Sequence, residues 1–239
     1  MARSIQQASL PEEVPQLEGW RINPFYRPAR EVGGDFYDFH LLPEGKLGLV
    51  VGAATGKGVP AALVMSTTCG MLQSAARALG SPSPSEVLAQ VNETLVARIP
   101  SNMFVTCFYA VLDPESGSLR YATAGHDPPY VRRSDAAAEE LRARGMPLGL
   151  MAGMGYEENE IELGADEGVL FYSDGLVEAH DPQGEMFGFP RLRALVAGRG
   201  EEGALVDFLM GELYSFVGEG WEQEDDITLV TLRRVAASR

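Results

Sequence analysis

Three aspartates share a context that suits metal chemistry. Asp35 follows Gly33-Gly34 and opens the run Phe36–Leu42, Asp174 sits in Ser173-Asp174-Gly175 after the apolar run Gly168–Tyr172, and Asp225 lies in Glu224-Asp225-Asp226 just before Ile227–Leu232. Carboxylates brought together at converging strand ends repel one another unless cations fill the cluster. Oxygen-only ligands favour magnesium or manganese over zinc. Asp is also a common turn residue, so capping its own turn is the competing reading for each one taken singly. His126, held in Gly125-His126-Asp127-Pro128-Pro129, is the candidate general acid. The alternative is an imidazole that hydrogen-bonds backbone and holds that turn. It lacks the paired His or Cys spacing of a zinc site, and His40 and His180 carry no pattern. No Gly-x-Ser-x-Gly nucleophile elbow occurs.

The elements that must position these groups centre on a hairpin. Phe36–Leu42 reads as one strand, Pro43-Glu44-Gly45 as the turn and Leu47–Gly52 as the return strand, which brings Asp35 beside Ala53. The glycine-rich Gly52-Ala53-Ala54-Thr55-Gly56-Lys57-Gly58 is not a phosphate-binding P-loop. Only three residues separate Gly52 from Gly56, and Gly58 stands where a Ser or Thr hydroxyl would be needed. Asp38 lies three residues beyond Asp35 and faces elsewhere.

Before the hairpin, Ser4–Leu10 reads as the end of a helix that continues upstream, broken by Pro11-Glu12-Glu13-Val14-Pro15, and Trp20–Arg27 as a first strand. After it, Val59–Leu79 and Glu86–Arg98 have apolar residues at helical spacing, with Ser83 or Ser85 available as a cap. Strands follow at Met103–Leu112, Ser118–Ala124, just after Pro129, at Glu158–Leu163 and at Gly168–Tyr172, and Ser134–Arg144 reads as polar and exposed. Phe189–Val196 and Ala204–Val217 read as helices before the final strand Ile227–Leu232.

Composition narrows the classes. The chain has 239 residues with 45% hydrophobic content, enough for a substantial core. A formal charge of −15 disfavours a nucleic-acid partner, which needs a basic face. No run approaches the 18 or so apolar residues of a membrane span, and Met1–Gln7 lacks the apolar core of a signal peptide. Cys69 and Cys107 lie in apolar segments and are expected as buried, reduced thiols of a cytoplasmic protein.

Seven segments in order resemble the SpoIIE/RsbU-type serine phosphatases of the bacterial PPM (metal-dependent protein phosphatase) superfamily. They are Arg27-Pro28-Ala29-Arg30-Glu31-Val32-Gly33-Gly34-Asp35-Phe36-Tyr37-Asp38, Thr55-Gly56-Lys57-Gly58-Val59-Pro60-Ala61-Ala62, Met103-Phe104-Val105-Thr106, Ala124-Gly125-His126-Asp127-Pro128-Pro129, Met146-Pro147-Leu148-Gly149, Tyr172-Ser173-Asp174-Gly175 and Asp225-Asp226-Ile227-Thr228. The resemblance implies an α+β fold, an αββα sandwich of two antiparallel sheets flanked by helix pairs, over residues 20–235, with residues 1–19 as a linker or the end of an upstream helix. It implies catalytic and metal-binding roles for Asp35, Asp174 and Asp225, with the backbone carbonyl of Ala54 as a further ligand. Two Mn2+ or Mg2+ ions would activate water for attack on phosphoserine, with no protein nucleophile. The implied substrate is a phosphorylated anti-anti-sigma (STAS) protein, in cytoplasmic sigma-factor regulation, with an upstream sensor domain and a homodimer as further expectations. The family's metal-bridging aspartate falls on Ala53, where this chain reads Gly-Ala-Ala-Thr-Gly-Lys-Gly. Two readings stay open: a working phosphatase, and a pseudophosphatase that keeps the fold and binds a partner.

Overall fold

The computed structural model describes residues 10–11, 13–79, 83–198 and 205–235. Its strands form two five-stranded antiparallel sheets. One has the order β1-β10-β9-β6-β7, from Trp20–Arg27 (β1), Tyr130–Arg132 (β6), Ala138–Glu140 (β7), Gly168–Tyr172 (β9) and Ile227–Arg234 (β10). The other has the order β2-β3-β4-β5-β8, from Asp35–Leu41 (β2), Leu47–Ala54 (β3), Val105–Leu112 (β4), Ser118–Ala124 (β5) and Glu158–Glu162 (β8). The helices are α1 (Val59–Ala78), α2 (Pro84–Val96), the single turn α3 (Asp174–Val177), α4 (Phe189–Gly198) and α5 (Leu205–Val217).

Period-two alternation sends successive strand residues to opposite faces, and the buried residues sort accordingly into three apolar layers. Phe36, Val50, Cys107 and Tyr109 meet Met65, Leu72, Leu88 and Val91 of α1 and α2. Leu49, Val51 and Phe108 face Val169, Phe171 and Val230 across the space between the sheets. There the Phe108 and Phe171 rings meet edge-on with centroids 5.8 Å apart. Leu170, Tyr172 and Leu229 meet Leu192, Leu209 and Leu213 of α4 and α5. The result is the expected αββα sandwich. The second helix is fixed at its start by a reciprocal capping box between Ser83 and Glu86.

Ser134–Arg144 departs from its exposed reading. It contains the edge strand β7, with Ala138 and Leu141 buried. The strand's one buried residue, Ala138, is small and is followed directly by Glu139 and Glu140, and that hides the alternation. The boundaries of several other elements move by one or two residues, as helix and strand ends do. The upstream helix expected at Ser4–Leu10 lies outside the described residues except for Leu10, which packs against the α1–α2 layer. Val14 and Leu17 pack against the layer between the sheets. Cys69 and Cys107 are buried and unbonded to each other.

Candidate metal centre

The hairpin places Asp35 directly opposite Ala53, and Ala53 opposite Thr106 on β4, so these three share the face that looks across to the other sheet. From that sheet Thr228, at the start of β10, donates its hydroxyl to Asp35 Oδ2 at 2.9 Å. Asp38 points to the opposite face, as expected, where it bonds the His40 ring at 3.1 Å.

Asp226 builds the wall behind Asp35. Its carboxylate accepts from the backbone N–H groups of Ala29 at 2.8 Å, Gly34 at 2.7 Å and Asp35 at 3.3 Å, tying the loop before β2 to the start of β10. Gly33 makes this possible, because a Cβ there would run into the Asp226 carboxylate. Ser173 closes the other side: its Oγ accepts from Thr228 N at 3.0 Å and donates to the Asp226 carbonyl at 3.3 Å. The next residue, Asp174, opens α3, and Gly175 leaves room for the Asp226 carbonyl. Thus Asp35, Asp174 and Asp225, which are far apart in the chain, come to one end of the sandwich.

Their electrostatics reflect the crowding. Burial, then the charge of Asp226, raises the Asp35 pKa well above the usual carboxylate range; Asp174 adds to this, and the Ser173 and Thr228 hydroxyls offset part of it. Asp174 is exposed at the rim, yet the protein around its carboxyl, and after that the charges of Asp225, Glu178 and Asp127, push its pKa up to about 6. Asp225 has found a cation: its Oδ2 lies 2.8 Å from Lys57 Nζ, which also donates to the Glu224 carbonyl at 2.7 Å.

His126 has both ring nitrogens engaged within the fold. Its Nε2 lies 3.0 Å from the Tyr172 carbonyl, which can only accept, so that nitrogen carries the proton and Nδ1 accepts from the Thr106 hydroxyl at 3.1 Å. Burial pushes its pKa down to about 4. At neutral pH the ring is uncharged, with both nitrogens engaged in tying β9 to β4, which is the turn-holding role.

The donor chemistry suits a hard divalent cation, since the charges of Asp226 and Asp174 raise the Asp35 pKa, that of Asp225 raises the Asp174 pKa, and a cation would relieve that repulsion. Among the described residues, no three Asp, Glu, His or Cys side chains stand close enough to hold an ion as they are. Ala53 presents a methyl group and no ligand beside Asp35. The acids are of the right donor type for a cation but would have to draw closer together to hold one. Asp226, Thr228 and the Lys57–Asp225 contact carry no chemical pattern of their own in the sequence. The doubled Asp225-Asp226 was the available signal for the first.

A family model described as Stage II sporulation protein E (SpoIIE) matches residues 43–235. Protein IcfG of Synechocystis is 31% identical over 97% of this chain and 40% of its own length. Phosphoserine phosphatase RsbU of Bacillus subtilis is 30% identical over 98% of this chain and 69% of its own. The chain thus spans less than half of the first relative and about two thirds of the second. Among solved structures, the SiaA-PP2C domain of Pseudomonas aeruginosa superposes with a TM-score of 0.84 at 24% identity, covering 97% of this chain and 94% of that one. The RsbU and RsbW domains of Rv1364c from Mycobacterium tuberculosis give 0.73 at 29% identity, covering 92% and 61%.

Proposed function

This chain belongs to the SpoIIE family of PP2C-like serine phosphatase domains, and from that premise we propose that it hydrolyses phosphoserine or phosphothreonine on an anti-anti-sigma (STAS) protein in sigma-factor regulation. The observation that carries the reading is the placement of Asp35, Asp174 and Asp225 at one end of the sandwich, where burial, then the charges of Asp226 and Asp174, raises the Asp35 pKa, and burial, then the charge of Asp225, raises that of Asp174. RsbU, named a phosphoserine phosphatase, supports the substrate class. Among the described residues no helix is long and apolar enough to cross a membrane, which agrees with a cytoplasmic setting. An upstream sensor domain and a homodimer belong to the same proposal, and the greater length of IcfG leaves room for the first.

Asp174, Asp225, Asp35 and the Ala54 carbonyl would hold Mn2+ or Mg2+. A bound ion there would acidify water and neutralise charge on the phosphoryl oxygens. The chain's own residues set the stage. Asp226 holds the backbone of Gly34 and Asp35 in place, and Thr228 fixes the Asp35 carboxyl on the side facing the other sheet. Lys57, half exposed at the rim beside Asp225, would offer an ammonium to an incoming phosphate.

Ala53 favours low turnover. Without a carboxylate beside Asp35, a second ion lacks a shared ligand and in-line geometry is poorly fixed. This also keeps the second reading, a partner-binding pseudophosphatase, in view. Phosphate release from a phosphoserine peptide, measured over a Mn2+ titration in this chain and in Asp174→Asn, tests the proposal. Slow Mn2+-dependent release that vanishes in the variant supports it. No release at any Mn2+ concentration, with peptide still bound, leaves the binding module as the function.

A further inference from the structure

The helix-facing side of the first sheet carries a row of arginines. Arg21 on β1 stands directly opposite Arg233 on β10, Arg233 opposite Gly168 on β9, and Gly168 opposite Arg132 on β6. Like charges set opposite one another weaken a sheet, and this chain carries 34 acidic residues against 19 Lys and Arg. Acidic partners are therefore plentiful, yet few meet these arginines. Arg233 bonds Asp166 at 3.0 Å through Nη2, but its Nε is buried without an acceptor, and so is Nε of Arg132. Among the described residues no side-chain ion pair is formed by Arg21 or Arg132.

The row borders a cavity of about 390 Å³ between the sheet and α4–α5. Leu170, Val196 and Leu205 form its apolar side, and Asn23 and Thr231 add polar groups beside the guanidinium groups. That volume is in the range of small-molecule sites, which combine an apolar lining with a few convergent polar groups. The cavity is remote from the acid cluster. Arg27 and Ile227 pair at the end of the sheet next to Asp225 and Asp226, and Arg21 and Arg233 pair six residues further along, roughly 20 Å at the usual strand rise.

We propose that this cavity binds a small amphiphilic acid, its phosphate or carboxylate head on Arg132, Arg233 and Arg21 and its apolar body against Leu170, Val196 and Leu205. The planar guanidinium fork matches an oxyanion in bidentate geometry. An oxyanion would supply the acceptors that the two buried Nε donors lack and would separate the opposed charges of Arg21 and Arg233.

Calorimetry on the full chain in EDTA, which removes any metal that could capture a phosphate, tests this with phenyl phosphate, decanoate and inorganic phosphate. The expected result is saturable one-site binding of phenyl phosphate or decanoate, at least tenfold tighter than inorganic phosphate. Arg132→Gln should weaken binding tenfold or more. Leu205→Trp, which fills the apolar side and leaves the arginines intact, should abolish it, and near-UV circular dichroism reports whether each variant is folded. Arg21 is exposed, so Arg21→Gln provides a folded variant if Arg132→Gln does not fold, with at least threefold weaker binding expected. The proposal is overturned if no probe binds at millimolar concentration, if the variants bind as the parent does, or if inorganic phosphate binds as tightly as phenyl phosphate. It is equally overturned if Asp174→Asn, and not the arginine variants, removes the binding.

Discussion

Restoring a carboxylate at position 53 should change the chain in two opposite ways. Ala53 and Asp35 are direct partners on one face of an antiparallel pair, where Cβ atoms lie about 4.5–5.5 Å apart. Two ionised carboxylates about 5 Å apart at an effective dielectric of about 20 repel by roughly 3 kcal/mol. Asp35 is already pushed well up by burial and by Asp226, so in metal-free Ala53→Asp it remains protonated more readily still. The variant should then lose stability in EDTA, by no more than about 3 kcal/mol because position 53 is partly open to solvent. A divalent cation reverses the sign. The same carboxylate then attracts the ion, and roughly 3 kcal/mol corresponds to about a 100-fold gain in Mn2+ affinity. Turnover should rise by orders of magnitude once two ions share a ligand. The assay pairs Mn2+ calorimetry and thermal unfolding in EDTA with phosphate release from a phosphoserine peptide, for parent and variant. Equal Mn2+ affinity and equal metal-free Tm would refute the reasoning, because position 53 would then not face the acid cluster.

Asp226→Ala leaves three backbone N–H groups without their acceptor. At about 1–3 kcal/mol for an unmet buried donor, partly offset by relief of Asp35, urea unfolding should show a loss of about 3 kcal/mol; a change under about 1 kcal/mol would mean the loop is held elsewhere. Lys57→Met removes a half-exposed pair worth at most about 1 kcal/mol, so its unfolding midpoint should barely move. Its Mn2+ affinity should nevertheless rise several-fold as the competing ammonium is lost, and a fall in affinity would contradict that competition. In EDTA the crowded acids and His126 pull in opposite directions as pH changes. The folded pKa values of Asp35 and Asp174 lie above their unfolded ones, so these acids cost stability as pH rises through about 6, whereas His126, with its pKa down at about 4, adds stability over the same window. Asp174→Asn compared with the parent in EDTA isolates the acid contribution: the Tm of the variant relative to the parent should grow from pH 5 to 7, and a difference that stays flat or shrinks would argue against the raised pKa of Asp174.

Much of the architecture is legible in the residue pattern, because strand alternation and helical spacing are local signals. Trp20–Arg27 and Gly168–Tyr172 are observed as read, and the hairpin delivers Asp35 opposite Ala53. Ala138 in β7 escapes that reading, since a three-residue edge strand offers one small inward residue followed by two glutamates. The site divides in the same way. Asp35, Asp174 and Asp225 announce themselves by their strand-end context. Asp226 looks like a duplicate of its neighbour until the loop from Ala29 to Asp35, almost 200 residues earlier, closes over it. Lys57 is likewise ordinary in sequence, and its pairing with Asp225 depends on two strand ends meeting across the sandwich. The quiet role of His126 rests on the Tyr172 carbonyl, a backbone atom that no residue pattern displays.

The most direct test of the central claim is calorimetric titration of Mn2+ into the parent chain and into Asp174→Asn at neutral pH. One Mn2+ site in the parent, with affinity reduced at least tenfold in the variant, is the result expected if Asp35, Asp174 and Asp225 form a metal centre. Binding of equal strength in both proteins would contradict it and would place any metal elsewhere in the fold.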